Sequence, residues 1–340
     1  RCGKGRGSFC PLLKGERGRI QLLANIVSSQ VKVHAPYGGV VPNLAKREHQ
    51  KNLIPVLKIA LAKAGFLKQK TNKTLPQQKE KILKEILARE VILSKKVLNF
   101  LKSYQKPKIN YLAVTVGPGL APALWPGVNL ARALSYFWGI PVFPVNHLEA
   151  HIYANLLTRK KRSFQFPAIA LIISGGHTQL IFMKNFGFYK LIGETRDDAV
   201  GECFDKVARL LSLDYPGGPA IAKEALKAKG KNYPLKFSLP RPMLNSRDLD
   251  FSFAGLKTAV LYLLQDLAKK GIDYKSLVPF LAKEFQEAII EVLTKKTFLA
   301  CEKFQAKSLI IGGGVAANQA LQEKFQKIIE EKKLNLELIF

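Results

Sequence analysis

Apolar positions along this chain follow two rhythms. In "YGGVVPNLAKREHQKNLIPVLKIALAKAG" a Gly-rich turn precedes apolar residues at helical spacing and a glycine stop, which predicts an amphipathic helix. Just upstream, "QLLANIVSSQ" reads as a strand running into a polar loop. From about Phe66 to Lys108 the helical period continues, but lysine fills the polar positions. That segment reads as an inserted, solvated helical pair outside the core.

The pattern then changes to alternating element types. We expect a strand at Tyr111–Thr115, a Gly/Pro turn, a helix over about Val128–Trp138, a short strand at Pro141–Val145 and a helix from Leu148. A second pass begins at "FPAIALIISGGHTQLIFMKN", where two β-rich runs flank Ser174–Thr178 as in a hairpin with a glycine turn. A helix around "AVGECFDKVARLLSL", a turn at "DYPGGPA", a later helical block, the strand "SLIIGGGVAAN" and a last helix follow. Two successive α/β blocks predict a duplicated architecture with a cleft between them.

Composition narrows the class. The 340 residues suffice for two domains with a buried core. No run of ~18 uncharged apolar residues occurs, so no membrane span is expected. The basic start, "RCGKGRGSFCPLLKGERGRI", has too short an apolar part for a signal-peptide core. Cys2, Cys10, Cys203 and Cys301 lack CxxC spacing, which argues against a disulfide framework or zinc knuckle and for a reducing cytoplasm. The net charge of +29 suits a polyanion such as RNA, yet a lysine-biased composition would give the same figure.

Three groups of residues carry candidate chemistry. The turns "SGGHT" and "GGGVAAN" let backbone N–H groups approach an anion, and the second also presents a helix start, where Asn318 could offer its amide to a ribose or base. Each alone could be a plain tight turn; two of them ending strands in α/β blocks favour a nucleotide cleft. Neither GxxxxGK[ST] nor GxGxxG is present. In "NHLEAH", His147 and His151 stand at i and i+4, so they share a helix face and could share a metal, although a pair of half-buried histidines is the plain alternative. Glu149 falls two steps after His147, rotated ~200° from that face, unlike the glutamate of HExxH, so hydrolysis by this motif is not expected. Among Asp197, Asp198, Glu202 and Asp205, the first two read as helix caps, while Asp205 and Gly218 could line the cleft.

Taken together, "NHLEAH", "LIISGGHTQL", "GETRDDAVGECFDKVARLLSLDYPGGP", "FSFAGLKTAV" and "IIGGGVAANQAL" resemble the tRNA threonylcarbamoyladenosine transferases, the TsaD group once labelled O-sialoglycoprotein endopeptidases. The resemblance runs from about Leu22 to the end, apart from the lysine-rich insert. It implies a duplicated actin-like ATPase fold in two lobes. It also implies transfer of a threonylcarbamoyl group from threonylcarbamoyl-AMP to N6 of the adenosine next to the anticodon in tRNAs reading ANN codons. Ile172, Ile173, Ser174, Gly175, Gly176, Asp205, Gly218 and Asn318 match adenylate-binding positions; His147 and His151 match ligands of a divalent metal, usually iron, with zinc as the alternative. An actin-like partner subunit and a small ATPase are implied as partners. A non-catalytic actin-like partner subunit is the competing reading, and a metalloprotease a weaker one.

The ends depart from that pattern. The start has arginines where the family has a Glu-Thr-Ser-Cys-Asp type loop, and reads as frameshifted or misassembled. The end, "LNLELIF", stops before the family's Thr-Asp-Asn-Ala stretch with its third metal ligand. The expected organisation is an atypical segment 1–21, an N-terminal lobe 22–145 with the insertion at about 66–108, and a C-terminal lobe 146–340 truncated at its end. Weak metal binding and an inactive chain are expected if this is the whole product.

Overall fold

A computed structural model describes residues 21–157, 164–231 and 237–340. The calls on the segment 1–20, Cys2 and Cys10 included, lie outside the described residues. The chain divides after Ala150 into two compact units.

The N-terminal unit is mainly helical. After a short helix α1 (Val31–His34), α2 (Pro42–Lys63) begins with proline in its first turn, where the missing N–H costs nothing. Helices α3 (Gln77–Ile86) and α4 (Val91–Ser103) lead to strand β1 (Leu112–Gly117), helix α5 (Ala121–Trp138) and strand β2 (Val142–Asn146). Strands β1 and β2 pair in parallel, Leu112 opposite Val142, so β1–α5–β2 is the expected crossover unit. Helix α5 starts seven residues earlier than its periodicity suggested, because Pro122 in its first turn is tolerated and Pro126 is accommodated inside.

Two expectations fail here. The run "QLLANIVSSQ" forms no strand: residues 21–30 are irregular, with Leu22 and Val27 exposed. The lysine-rich pair is not a solvated appendage. Leu83, Leu87, Leu93, Val97 and Leu101 are completely buried, packed in one core with Leu130, Leu134 and Trp138 of α5. Lysine dominated the composition, but leucine at positions 83, 87, 93, 97 (valine) and 101 set the packing.

Helix α6 (His147–Leu157) carries the chain into the C-terminal unit. There β3 (Ala168–Ile173), β4 (Thr178–Asn185) and β5 (Phe188–Glu194) form an antiparallel meander, of which β5 was not foreseen. Helices α7 (Val200–Leu210), α8 (Gly217–Lys227), α9 (Ala254–Lys269) and α10 (Val278–Lys303) follow, then β6 (Ser308–Gly312), α11 (Gln319–Glu331) and β7 (Glu337–Ile339). The sheet order is β5-β4-β3-β6-β7, with β6 parallel to both β3 and β7. Strands β3 and β6 are buried along their whole length, which is why both read as unbroken apolar runs rather than alternating ones. Helix α10 packs on α8 and β3, with Phe285, Ile289 and Leu293 buried. Both units are mixed α/β, as the block pattern predicts.

Candidate functional site

Parallel strands β3 and β6 end side by side, and their glycine turns open onto one cavity of about 780 Å³ in the C-terminal unit. That volume is in the range of small-molecule sites, as is the position at the carboxyl ends of parallel strands. Gly175 contributes from the β3–β4 turn, Asp205 from α7, Gly218 from the first turn of α8, and Asn318 from the start of α11. Four of the eight expected adenylate positions therefore meet at one wall of space. Ile172 and Ile173 are completely buried strand residues and do not line it; nor do Ser174 and Gly176. The Ser174 hydroxyl instead accepts from the His177 N–H at 3.1 Å, fixing the turn that presents Gly175.

Backbone contact explains the glycines. Gly217 belongs to α8, not to a free turn as its sequence suggested. A Cβ there would lie 2.5 Å from the Phe204 carbonyl oxygen and 2.6 Å from the Asp205 Cα, so only glycine lets α8 close against α7. Gly313, at φ +99°, occupies a conformation that side chains resist, with the Ile173 backbone directly against it. These two positions seat the end of β6 and the start of α8 at the cavity.

The polar groups are held in place. The Asp205 carboxylate accepts the Gly217 N–H at 2.7 Å, so Gly218 carries the next orphan N–H of that helix start. Burial raises the Asp205 pKa, the Gly217 hydrogen bond opposes this, and Glu202 adds to the rise. Asn318 does not offer a free amide. Its Oδ1 caps α11 by accepting the Leu321 N–H at 3.0 Å, and its Nδ2 donates to Gln286 Oε1 at 2.8 Å. Gln286 is only 6% exposed yet lines the cavity from α10. With its oxygen engaged, its amide nitrogen is the end left to donate. Sequence reasoning missed Gln286; the available signal was a lone amide among core residues in "PFLAKEFQEAII". Lys223, Lys229, Lys283, Glu287 and Glu323 complete the charged rim, and Phe204, Ala222 and Val315 supply apolar wall.

The acidic pair behaves differently from expectation. Neither Asp197 nor Asp198 caps α7, whose N-cap is Ala199. Asp198 instead pairs with Lys206 at 2.7 Å. Asp197 reaches across to the start of α9, accepting the Phe253 N–H at 2.8 Å, the Ala254 N–H at 3.2 Å and the Ser252 hydroxyl at 2.5 Å. Burial works against its charge, but those bonds prevail and hold its pKa below the ordinary value.

His147 and His151 lie on α6, which Asn146 caps by accepting the Leu148 N–H at 2.9 Å. Both are half-buried and stand one helical turn apart, a spacing from which two imidazoles can share one metal ion. Among the described residues, no group of three His, Cys, Asp or Glu side chains that could hold a metal occurs. Neither histidine lines the cavity. The His151 carbonyl oxygen does lie 3.2 Å from where a Cβ on Gly312 would stand, so α6 abuts the end of β6 that leads into it. Cys203 lies on α7 with Asp205, but it is completely buried, donates to the Phe253 carbonyl, and has its pKa pushed up to about 12 by burial. It is no nucleophile at neutral pH. The site is built to bind and orient.

Fold and site thus define an α/β protein with a ligand cavity at the carboxyl ends of its parallel strands. The family model described as TsaD, tRNA N6-adenosine threonylcarbamoyltransferase, matches residues 21–73 and 90–339. A tRNA N6-adenosine threonylcarbamoyltransferase of Thermomicrobium roseum is 41% identical over 328 residues, covering 90% of this chain and 78% of the relative. One of Dictyoglomus turgidum is 42% identical, covering 94% and 80%. The chain belongs to the tRNA N6-adenosine threonylcarbamoyltransferase family, which makes it an acyltransferase acting on tRNA; a non-catalytic partner subunit is not favoured. A crystal structure of full-length HypF in its phosphate- and nucleotide-bound form is 10% identical with a TM-score of 0.48, covering 74% of this chain and 46% of that one. Among the described residues, no helix is long and apolar enough to cross a membrane.

Proposed function

We propose that the cavity holds the adenylate half of threonylcarbamoyl-AMP and that the chain transfers its threonylcarbamoyl group to N6 of the adenosine beside the anticodon in tRNAs reading ANN codons. The observation that carries this reading is the convergence of Gly175, Asp205, Gly218 and Asn318, from four separate segments, on one nucleotide-sized cavity. The Asp205 carboxylate suits ribose hydroxyls, and the Gln286–Asn318 pair presents a fixed amide donor to the nucleotide. Backbone N–H groups at the starts of α8 and α11 suit the phosphate.

In the transfer, N6 bonds to the carbamoyl carbon, the carbon–oxygen bond to phosphate breaks, AMP leaves, and N6 gives up a proton. AMP is a good leaving group, so no enzyme nucleophile is needed, in keeping with the buried, protonated Cys203. The protein's contribution is orientation of two large reactants. A divalent ion at His147 and His151, Fe²⁺ or else Zn²⁺, would polarise the carbamoyl oxygen. An actin-like partner subunit and a small ATPase complete the proposed working assembly, and the cytoplasm is its compartment.

The test is direct. The purified chain is incubated with threonylcarbamoyl-AMP and unmodified tRNA reading an ANN codon, with and without Fe²⁺ and the partner subunits, and tRNA nucleosides are resolved by mass spectrometry. Threonylcarbamoyladenosine should form with the wild type and fall at least ~10-fold with Asp205→Asn, in line with the loss of a charged hydrogen bond. Equal product from wild type and D205N would remove Asp205 and this cavity from the reaction.

A further inference from the structure

Residues 74–89, "TLPQQKEKILKEILAR", fall outside the family match, which stops at 73 and resumes at 90. This stretch holds α3, and it is firmly seated: Leu83 and Leu87 are completely buried, and α3 packs on α4 and α5. A seated helix presents its outer face in a fixed direction. On the helix Lys79, Lys81 and Lys84 are exposed, with Glu85 among them, and exposed Arg89 lies just past its end.

The charges there are out of balance. Residues 66–108 carry a net +9 over 43 positions, about three times the charge density of the remaining chain, so a lysine-biased composition does not account for it. Glu80 is shared by Lys84 at 3.0 Å and Lys102 at 3.1 Å. Lys79 and Lys70 meet over one ring, with their ammonium groups 5.4 and 5.2 Å from the centre of Phe137. Two cations thus share one carboxylate, and two more meet over one ring. Lys70 shows the strain of this: burial first, and then Lys79, lower its pKa. Their contacts with Phe137 and the Lys70 hydrogen bond to the Leu101 carbonyl at 2.7 Å hold them there against mutual repulsion. An external polyanion would relieve their repulsion and release its own counterions.

We infer that the exposed lysines of α3, with Lys70 and Lys102 beside them, form a docking surface for the phosphate backbone of RNA. RNA is favoured over an acidic protein because the family's substrate is tRNA, so the inference rests on the transferase reading. The contacts are to phosphates, so the surface positions the tRNA and does not read its sequence.

The full chain's affinity for tRNA, measured by fluorescence anisotropy across salt concentrations, tests this. In the triple variant K79Q/K81Q/K84Q the slope of log affinity against log salt should shrink by about 2, and affinity near 0.1 M salt should drop ~10- to 100-fold. The matching Lys→Arg triple should retain both. Neutralising three exposed lysines of the other unit, K269Q/K270Q/K275Q, should have a much smaller effect. An unchanged slope in the α3 variant overturns the inference and leaves the surface to an acidic protein. An equal loss in both neutralised variants also overturns it, because net charge alone would then suffice. A wild-type chain that modifies tRNA while the α3 variant binds like wild type leaves the transferase reading intact; a wild-type chain that binds no tRNA ends both.

Discussion

The two units solve opposite packing problems. In the C-terminal unit, backbone is pressed against backbone: Gly217 lets α8 sit on α7, and Gly313 lets the end of β6 lie on Ile173. The precision lies where side chains are missing, and a cavity opens beside it. In the N-terminal unit, the segment around α3 and α4 is held by leucines that project into a helical core, while a dense shell of lysine faces outward. Short glycine motifs therefore point to chemistry in one unit, whereas in the other the informative residues are apolar ones obscured by charge. The comparison can be broken from either side.

The largest effect should come from Leu83→Ala. This side chain is completely buried between helices, so truncation should cost about 2–5 kcal/mol, seen as a lower urea midpoint. Lys81→Ala, on the exposed face of the same helix, should change stability by under ~0.5 kcal/mol. If L83A were as mild as K81A, the helical pair would be the solvated appendage its composition suggests, and the contrast between units would vanish.

A smaller effect, confined to the site, should follow from Gly217→Ala. The added Cβ meets the Phe204 carbonyl at 2.5 Å, forcing α8 away from α7 at a cost of about 1–3 kcal/mol. Its neighbour behaves otherwise. A Cβ on Gly218 meets nothing within 4 Å, so Gly218→Ala should leave stability unchanged or raise it by up to ~1 kcal/mol. Thermal melts of the two variants, with calorimetric titration of AMP, separate a glycine needed for packing from one needed for ligand approach. G218A that melts normally and binds AMP normally would exclude Gly218 from the ligand's path.

How much of this could be read in the sequence depended on how local the cause was. The glycine turns at Gly175 and Gly313, the helix bearing His147 and His151, and the βαβ crossover were all legible, because each is set by a few adjacent residues. Strand β5 was not: it pairs only as the outer arm of a meander, and its exposed Phe188 and Leu191 blur the alternation. The capping reach of Asp197 to α9 spans more than fifty residues and leaves no local trace. Gln286 left a faint local trace, a lone amide among core residues, but its role comes from Asn318, 32 positions away. In "QLLANIVSSQ" the apolar run was real, but a strand needs a partner, and none pairs with it among the described residues.

The smallest effect on stability, and the one most telling for function, belongs to Asp205→Asn. Burial lifts the folded-state pKa of this carboxyl above its unfolded value of about 3.9. Between those two values the folded chain holds the proton that the unfolded chain has lost, so stability declines as pH rises through that window. At neutral pH the wild type carries the whole cost of the buried charge. Asparagine removes the charge and can still accept the Gly217 N–H, so D205N should melt at or slightly above the wild-type temperature at pH 7. The difference should disappear below about pH 4. Binding should move the other way: AMP affinity at pH 7 should fall ~10- to 100-fold, the usual worth of a hydrogen bond to a charged group. A carboxylate kept at a cost to the fold and needed by the ligand belongs to function. Should D205N instead melt well below wild type at pH 7 with unchanged AMP affinity, Asp205 is a bracket for α8, and the cavity it lines is a by-product of packing.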